Sequence, residues 1–247
     1  MSRYKYFHDF TVPVYDCDPF DRAKVSSLLK YVQLVSGQHL VTLGLPHEKL
    51  LSEGFVFVVA ATALKIFRSP RTNEKITLST APLFGGGAHM LRETVIHSEQ
   101  GEKLAECQAN WALINANSGK LLRASDFPYE LPLLEGEWEP FFDPRKIRIR
   151  PVCESSTERV VRLSDIDQNM HMNNTVYADL ICDQFDEQYL KSGGVDTMFI
   201  RYHLQARLND TLTLERGKSG ELFTVGARLG DKHCFEGAFS LKPLETV

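Results

Sequence analysis

Polar side chains that could do acid–base or hydrogen-bonding chemistry are concentrated in one stretch of the second half, which reads SDIDQNMHMNNTVY from Ser164 to Tyr177. The candidates, in order, are Asp167, Asn169, His171, Asn173 and Asn174. The first three stand at alternate positions, so an extended backbone would point a carboxylate, an amide and an imidazole to one side. The asparagine pair is typical of a helix N-terminus, which attracts anions and carbonyl oxygens. The stretch therefore predicts a site that binds a carbonyl or an anion.

The residues on either side predict the elements that hold this site. Val160–Leu163 has the composition of a strand, and the run from Val176 to Leu190 has apolar residues at helical spacing. Further strands are predicted at Val195–Leu204, Thr211–Glu215, Glu221–Leu229 and His233–Leu241. The site is therefore expected on a loop between a strand and a helix.

The first half repeats this order of elements. A strand at Phe10–Tyr15 precedes a long buried helix from Val25 to Leu43, which ends near Gly44. The strands predicted after it are Phe55–Phe67, Ile76–Ala81, Met90–Ser98 and Leu104–Asn115. The order predicts two similar α+β halves, each a helix with several antiparallel strands.

The repeat is also visible in single residues. The matched pairs are Asp18 with Asp167 and Arg71 with Arg207. The first half keeps the carboxylate but has Phe20 and Arg22 where the second half has the amide and the imidazole. We therefore expect one active site per chain, in the second half.

A proline-rich segment separates the two halves. Its prolines are Pro128, Pro132, Pro140, Pro144 and Pro151. Such a segment is typical of a linker. We predict an N-terminal domain over residues 1–125, a linker over 126–155 and a C-terminal domain over 156–247.

Composition excludes several functional classes. The chain has 247 residues, is 43% hydrophobic and carries a net charge of −4, which does not favour nucleic-acid binding. Its five cysteines are scattered without metal-ligand or disulfide spacing, and no cofactor or metal is expected. The first residues, MSRYKYFHDF, lack the apolar region of a signal peptide, and no run could span a bilayer. These features predict a soluble cytoplasmic protein.

The pattern D-x-N-x-H-x-N-N-x-x-Y, which begins at Asp167, resembles the catalytic loop of the acyl-acyl carrier protein thioesterases. These enzymes are relatives of the 4-hydroxybenzoyl-CoA type hot-dog thioesterases. The resemblance extends over nearly the whole chain and includes the WALIN sequence that begins at Trp111. It implies an α+β tandem hot-dog fold, in which each half is a long helix wrapped by a curled antiparallel sheet. It also implies hydrolysis of acyl-acyl carrier protein with release of free fatty acid.

The resemblance assigns roles to the candidate residues. Asp167 is the expected base, directly or through His171, while Asn169 binds the carbonyl oxygen or the attacking water. The start of the second helix, at Asn173 and Asn174, is expected to add backbone donors. The acyl chain is expected in an apolar tunnel between helix and sheet in the first half.

One departure from the family pattern bears on the mechanism. The family often has Y-x-x-E on the next long strand, with a cysteine after the glutamate in plant members. Here the segment reads Tyr202-His203-Leu204-Gln205-Ala206. Gln205 cannot act as a general base and Ala206 supplies no thiol, so Gln205 is expected at most to position water.

The resemblance also implies an acidic partner, an acyl carrier protein that bears an acyl-phosphopantetheine thioester. Two basic clusters are candidate contacts. The first contains Lys65, Arg68 and Arg71, and the second contains Arg145, Lys146, Arg148 and Arg150. Charges of this kind also commonly do no more than solvate a loop.

Three alternatives remain open from the sequence. The same fold could act on acyl-CoA, and a hydratase or dehydratase would also use an aspartate and a histidine. A degenerate hot-dog could bind acyl chains or the carrier without hydrolysis, which the replacements at Gln205 and Ala206 keep open. The oligomeric state is open as well, with a homodimer among the choices.

Overall fold

The computed structural model describes residues 5–134 and 140–244. The chain divides after Arg145 into two compact units. This division falls inside the segment 126–155 that we predict as a linker, of which residues 135–139 lie outside the described residues.

The first unit is an antiparallel sheet with a long helix packed on it. Its elements are β1 (Tyr6–Thr11), α1 (Val25–Thr42), α2 (His47–Ser52), β2 (Phe55–Ile66), β3 (Lys75–Gly86), β4 (His89–Ser98) and β5 (Lys103–Asn115). The strands lie in the order β1-β3-β4-β5-β2, and every pairing is antiparallel. Helix α1 packs on β1 and β3 with Leu28, Val32 and Val35 buried, as the helical spacing of these residues predicts.

The second unit has the same plan. Its elements are β6 (Ser155–Val160), α3 (Val176–Asp183), α4 (Asp186–Leu190), β7 (Val195–Tyr202), β8 (Thr211–Ser219), β9 (Leu222–Leu229) and β10 (Lys232–Leu241). Its strands lie in the order β6-β8-β9-β10-β7, again antiparallel, so each strand occupies the place of its counterpart in the first unit. The predicted α+β double hot-dog architecture is confirmed.

Two strand predictions are wrong in position. Strand β1 ends at Thr11 and β6 ends at Val160, and each is followed by a short 3-10 turn, Val14–Asp16 and Leu163–Asp165. Pro13 cannot donate a ladder hydrogen bond, which ends the first strand early. In the second unit the Asp165 carboxylate accepts the Arg162 N–H at 2.7 Å and closes the turn instead.

The predicted helix from Val176 to Leu190 is divided into α3 and α4. The interruption is at Phe185, whose backbone leaves the helical region at φ −135° and ψ 40°. Its ring lies 4.8 Å from that of Phe223 and 5.7 Å from that of Phe239, measured between centroids. Burial of this ring against two strands outweighs continuation of the helix.

Helix α3 lies close to strand β10. A Cβ at Gly237 would overlap Cδ1 of Ile181, so only glycine permits this approach. The Tyr177 ring lies 4.9 Å from that of Phe235, again between centroids. This packing fixes the N-terminal end of α3, which follows the candidate loop.

Candidate active site

The loop from Asp167 to His171 is a tight turn rather than an extended segment. The N–H of Met170 donates to the carbonyl of Asp167 at 3.0 Å, and the N–H of Asp167 donates to the carbonyl of His171 at 3.1 Å. Met170 has φ 62°, a conformation that non-glycine residues seldom adopt. The expectation that alternate side chains point to one side is therefore wrong, because the chain reverses direction between them.

The carboxylate of Asp167 is held inside this turn. Its Oδ1 accepts the backbone N–H of Asn169 at 2.8 Å, while its Oδ2 accepts the side-chain amide of Asn173 at 3.3 Å. The long second bond leaves Oδ2 weakly engaged, and no cation pairs with Asp167 among the described residues. A carboxylate in this state can still accept a proton from water.

The imidazole of His171 is the second reactive group of the loop. Its Nδ1 is buried and has no hydrogen-bond partner within residues 5–134 and 140–244. No hydrogen bond joins this ring to the carboxylate of Asp167 in the same ranges, so the two groups are linked through the backbone of the turn. A buried ring nitrogen without a partner is uncommon and marks a group available to a bound molecule.

The asparagine pair closes the turn that leads into α3. Oδ1 of Asn173 accepts the N–H of Thr175 at 2.9 Å and its hydroxyl at 2.8 Å, and the carbonyl of Asn173 accepts the N–H of Val176. The carbonyl of Asn174 accepts the hydroxyl of Tyr202 at 3.2 Å. At this helix start, which we expected to supply backbone donors, the N–H groups of Asn173, Thr175 and Val176 are therefore already used within the protein. Asn169, whose side chain is exposed, remains as an amide donor.

Gln205 lies close to the loop because its neighbour Ala206 is bonded to the loop through the main chain. The N–H of Met172 donates to the carbonyl of Ala206 at 2.8 Å. His171 and Gln205 each precede a residue of this bonded pair, so the structure brings together the two segments that the family pattern assigns to catalysis. The Gln205 side chain is exposed, and Ala206 is fully buried.

A carboxylate that the sequence analysis did not select lies on β10. Oε2 of Glu236 is 3.3 Å from Nε2 of His203 and 3.8 Å from Nη1 of Arg201. Strand β7 ends at Tyr202, two residues before the predicted end at Leu204, so His203 follows the strand. The pairing of β7 with β10 brings Glu236 next to Arg201, and no local sequence motif predicts this contact.

The first unit contains the same turn with different side chains. Four main-chain bonds, each from an N–H to a carbonyl, have the same pattern in both units. In the second unit they run from Asp167 to His171, Met170 to Asp167, Met172 to Ala206 and Asn173 to Asp165. In the first unit the corresponding bonds run from Asp18 to Arg22, Asp21 to Asp18, Ala23 to Pro70 and Lys24 to Asp16. Asp21 has φ 60°, close to the value at Met170. The sequence pairing of Asp18 with Asp167 is thus reproduced in the backbone.

No thiol nucleophile is available next to the candidate loop. Cys234 donates its Sγ hydrogen to the carbonyl of Leu204 at 3.0 Å, and burial raises the pKa of this thiol to about 11. The described residues contain no cluster of three or more His, Cys, Asp or Glu side chains that could hold a metal ion. The candidate chemistry therefore rests on the carboxylate, amide and imidazole groups of the loop.

Comparison with known families agrees with this arrangement. The model of the acyl-ACP thioesterase N-terminal domain matches residues 3–128, and that of the C-terminal domain matches residues 151–229. The chain belongs to the acyl-ACP thioesterase family. A relative from Gossypium hirsutum, a chloroplastic palmitoyl-acyl carrier protein thioesterase, is 22% identical over 83% of this chain. The chain spans about half the length of the curated relatives that it matches, 52% in that case.

Two solved structures share the fold. An acyl-ACP thioesterase from Bacteroides thetaiotaomicron matches with a TM-score of 0.82 at 19% identity, covering 96% of this chain and 98% of its own. The 12:0-ACP thioesterase from Umbellularia californica matches with a TM-score of 0.78 at 14% identity, covering 97% of each chain. These likenesses confirm the fold of the family member described here.

Of the seven basic residues proposed for carrier recognition, Arg68, Arg71 and Arg145 are engaged in ion pairs. The guanidinium of Arg68 contacts Glu74 at 2.7 Å and Glu102 at 3.1 Å. Arg71 lies 3.9 Å from Asp21, and Arg145 lies 2.8 Å from Asp143. Lys146 is exposed. Partners near in sequence, such as Asp143, and distant ones, such as Glu102, thus occupy cations that the sequence alone suggests are available.

The first unit of this acyl-ACP thioesterase family member contains a cavity of about 330 Å³. One side is formed by Leu40 of α1, Leu50 of α2 and Leu45 between the two helices, and the strands contribute Phe57 and Trp111. Within the described part of the chain, no helix is both long enough and apolar enough to pass through a bilayer.

Proposed function

We propose that this chain hydrolyses the thioester of an acyl-acyl carrier protein and releases free fatty acid. The observation that carries the proposal is the Asp167 turn, which keeps a carboxylate with one weakly bonded oxygen next to an imidazole with an unpartnered nitrogen. Membership of the acyl-ACP thioesterase family gives the substrate class.

The proposed chemistry uses Asp167 as the general base. Its Oδ2 takes a proton from a water molecule, whose oxygen adds to the thioester carbonyl carbon. The carbonyl oxygen becomes an oxyanion, the carbon–sulfur bond then breaks, and the thiol leaves with a proton. The exposed amide of Asn169 donates to the oxyanion, because the N–H groups of Thr175 and Val176 are occupied by Asn173.

His171 and Gln205 support this reaction in different ways. The unpartnered Nδ1 of His171 holds the water or relays its proton. Gln205 has an amide that orients water but cannot accept its proton at neutral pH. The loss of a second carboxylate predicts a slower enzyme than a family member that has glutamate at this position.

The two units have separate roles in this proposal. The first unit, centred on residues 1–125, binds the acyl chain in its apolar cavity, while the second, centred on residues 156–247, supplies the reacting groups. Asp18 does not act as a base, because Arg22 neutralises it. Lys146 and Arg150, which are exposed, are the most suitable contacts for the acidic carrier among the basic residues selected above.

A cytoplasmic location is part of the same proposal. All five cysteines are free, which is typical of proteins kept in a reducing compartment.

A second candidate function is binding of the acyl carrier without hydrolysis. Gln205 in place of the family glutamate is the observation that favours it. The intact Asp167 turn favours the hydrolase.

Release of free fatty acid from a series of acyl-acyl carrier proteins tests the proposal, with the matching acyl-CoAs in parallel. Turnover on the carrier-bound series that is lost in Asp167→Asn supports it. Equal or faster turnover on acyl-CoA would indicate that acyl-CoA, and not the acyl carrier protein thioester, is the substrate. Saturable carrier binding without turnover would favour the second function.

A further inference from the structure

The buried part of the cavity wall in the first unit contains a charged side chain, Arg92, while the other charged lining residue, Glu48, is exposed. Arg92 lies on β4, is 7% exposed and lines the cavity together with Met90 and Trp111. Met90 pairs with Trp111 across β4 and β5, and Arg92 follows Met90 by two positions, so the three side chains share one face of the sheet. A cation is therefore built into the wall of an otherwise largely apolar site.

The contacts of Arg92 leave its charge unbalanced. Its Nη1 donates to Nδ1 of His39 at 3.1 Å and to Oγ1 of Thr80 at 3.2 Å, and both partners are uncharged. Neither an ion pair nor any further hydrogen bond of Arg92 is present in residues 5–134 and 140–244. Buried charges are ordinarily paired, so the remaining guanidinium donors need an acceptor from elsewhere.

His39 cannot supply a balancing charge. A guanidinium only donates hydrogen bonds, so Nδ1 of His39 is the acceptor and the ring is neutral. Burial, with a smaller contribution from the charge of Arg92, lowers the pKa of His39 to about 4. Burial lowers the pKa of Arg92 only to about 10, so the guanidinium remains charged near neutral pH.

A second donor without an acceptor lies beside it. Nε1 of Trp111 is buried and has no hydrogen-bond partner among the described residues. Arg92 pairs with Ala109, so Trp111 occupies the diagonal position across the two strands, within reach of a long side chain. Two neighbouring donors without acceptors in one cavity wall are costly unless a ligand satisfies them.

We propose that this cavity selects acyl chains that carry an oxygen acceptor, as a hydroxyl, oxo or carboxylate group, at the point where the chain meets Arg92 and Trp111. The acyl part of this inference rests on the proposed function, and it concerns binding in the first unit. A plain alkyl chain would leave these donors without hydrogen bonds. A chain with an oxygen at that depth would satisfy them, which is the arrangement that discriminates most strongly between such analogues.

Equilibrium binding of non-hydrolysable pantetheine amides tests the proposal independently of turnover. At each of several chain lengths, calorimetry compares chains that end in methyl, hydroxyl or carboxylate. We expect the best oxygenated probe to bind roughly 10- to 100-fold more tightly than the alkyl probe of equal length. The hydroxyl and carboxylate arms separate a neutral acceptor from an anion.

Two variants assign the effect to the donor. Arg92→Met should reduce the ratio to about one or below, whereas Met90→Leu changes the same wall without altering a donor and should keep it. Alkyl probes that bind wild-type protein as tightly as the oxygenated probes at every length would overturn the inference, whatever the variants do. If the wild-type protein shows the binding preference but does not hydrolyse acyl-acyl carrier protein, only the proposed hydrolase function is contradicted.

Discussion

Nε and Nη2 of Arg22 both lie 2.8 Å from Oδ2 of Asp18, in a turn whose backbone matches that around Asp167. Among the described residues, the corresponding oxygen of Asp167 meets only the Asn173 amide, at 3.3 Å. One backbone geometry therefore holds a neutralised carboxylate in the first unit and an available one in the second. This difference explains why chemistry is proposed for only one of the two turns.

Asparagine substitutions at the two aspartates should have opposite consequences. Asp167→Asn removes the proposed base and should lower hydrolysis by roughly a hundredfold or more. Asp18→Asn leaves the largely buried Arg22 without its counter-charge and should cost about 1 to 3 kcal/mol of the free energy of unfolding, with turnover nearly unchanged. Steady-state rates and urea unfolding of both variants check this, and a large loss of turnover in Asp18→Asn would contradict the assignment.

Gln205→Glu should increase kcat. The exposed position lets a carboxylate ionise and accept a proton, so we expect roughly a tenfold gain in turnover. Gln205→Ala serves as the matched control and should fall below wild type, because it removes the amide that orients water. If glutamate gave no gain and alanine no loss, Gln205 would have no part in the reaction.

His39 should make the first unit sensitive to acid. Its pKa in the folded protein is about 4, below the value of 6.5 for a free histidine, so the unfolded chain binds more protons between these pH values. Stability from this group is present above pH 6.5 and declines as the pH falls towards 4, by about 1 to 2 kcal/mol. His39→Gln keeps an acceptor for Arg92 but does not titrate there. Thermal unfolding across this range should therefore be less steep in pH for the variant, and an equal slope would contradict the prediction.

Lys146 and Arg68 should separate carrier recognition from stability. Lys146→Gln should raise KM for acyl-acyl carrier protein severalfold and weaken its salt dependence, because an exposed cation is removed. Arg68→Gln should leave that KM unchanged and lower the free energy of unfolding by roughly 1 kcal/mol, because Arg68 already contacts Glu74 and Glu102. KM at two ionic strengths and the free energy of unfolding are measured for both variants. A raised KM in Arg68→Gln would show that Arg68 contacts the carrier.

The sequence was sufficient for the elements whose pattern is local. Helix α1 begins at Val25 as predicted and ends one residue before the predicted Leu43, and the central strands follow their apolar runs. The repeat of the two halves could also be read from Asp18 and Asp167. Local periodicity and turn residues carry this information directly.

The shape of the site depends on contacts that sequence distance conceals. Met170 adopts a positive φ because main-chain bonds from Met172 to Ala206 and from Asn173 to Asp165 fix the turn around it. The contact between His39 and Arg92 spans 53 positions of sequence, so neither residue appears special on its own strand or helix. Tertiary contacts of this kind override what spacing alone predicts.

The main-chain bonds that define both turns place no demand on the side chains at their tips. Phe20 and Arg22 occupy the same backbone positions as Asn169 and His171, so the same turn accommodates different side chains in the two units. The turn around Asp18 therefore already has the backbone geometry of the candidate catalytic turn. Substitutions that introduce reactive side chains there would place them on the same backbone geometry, so a second catalytic centre would need new side chains but no change of backbone.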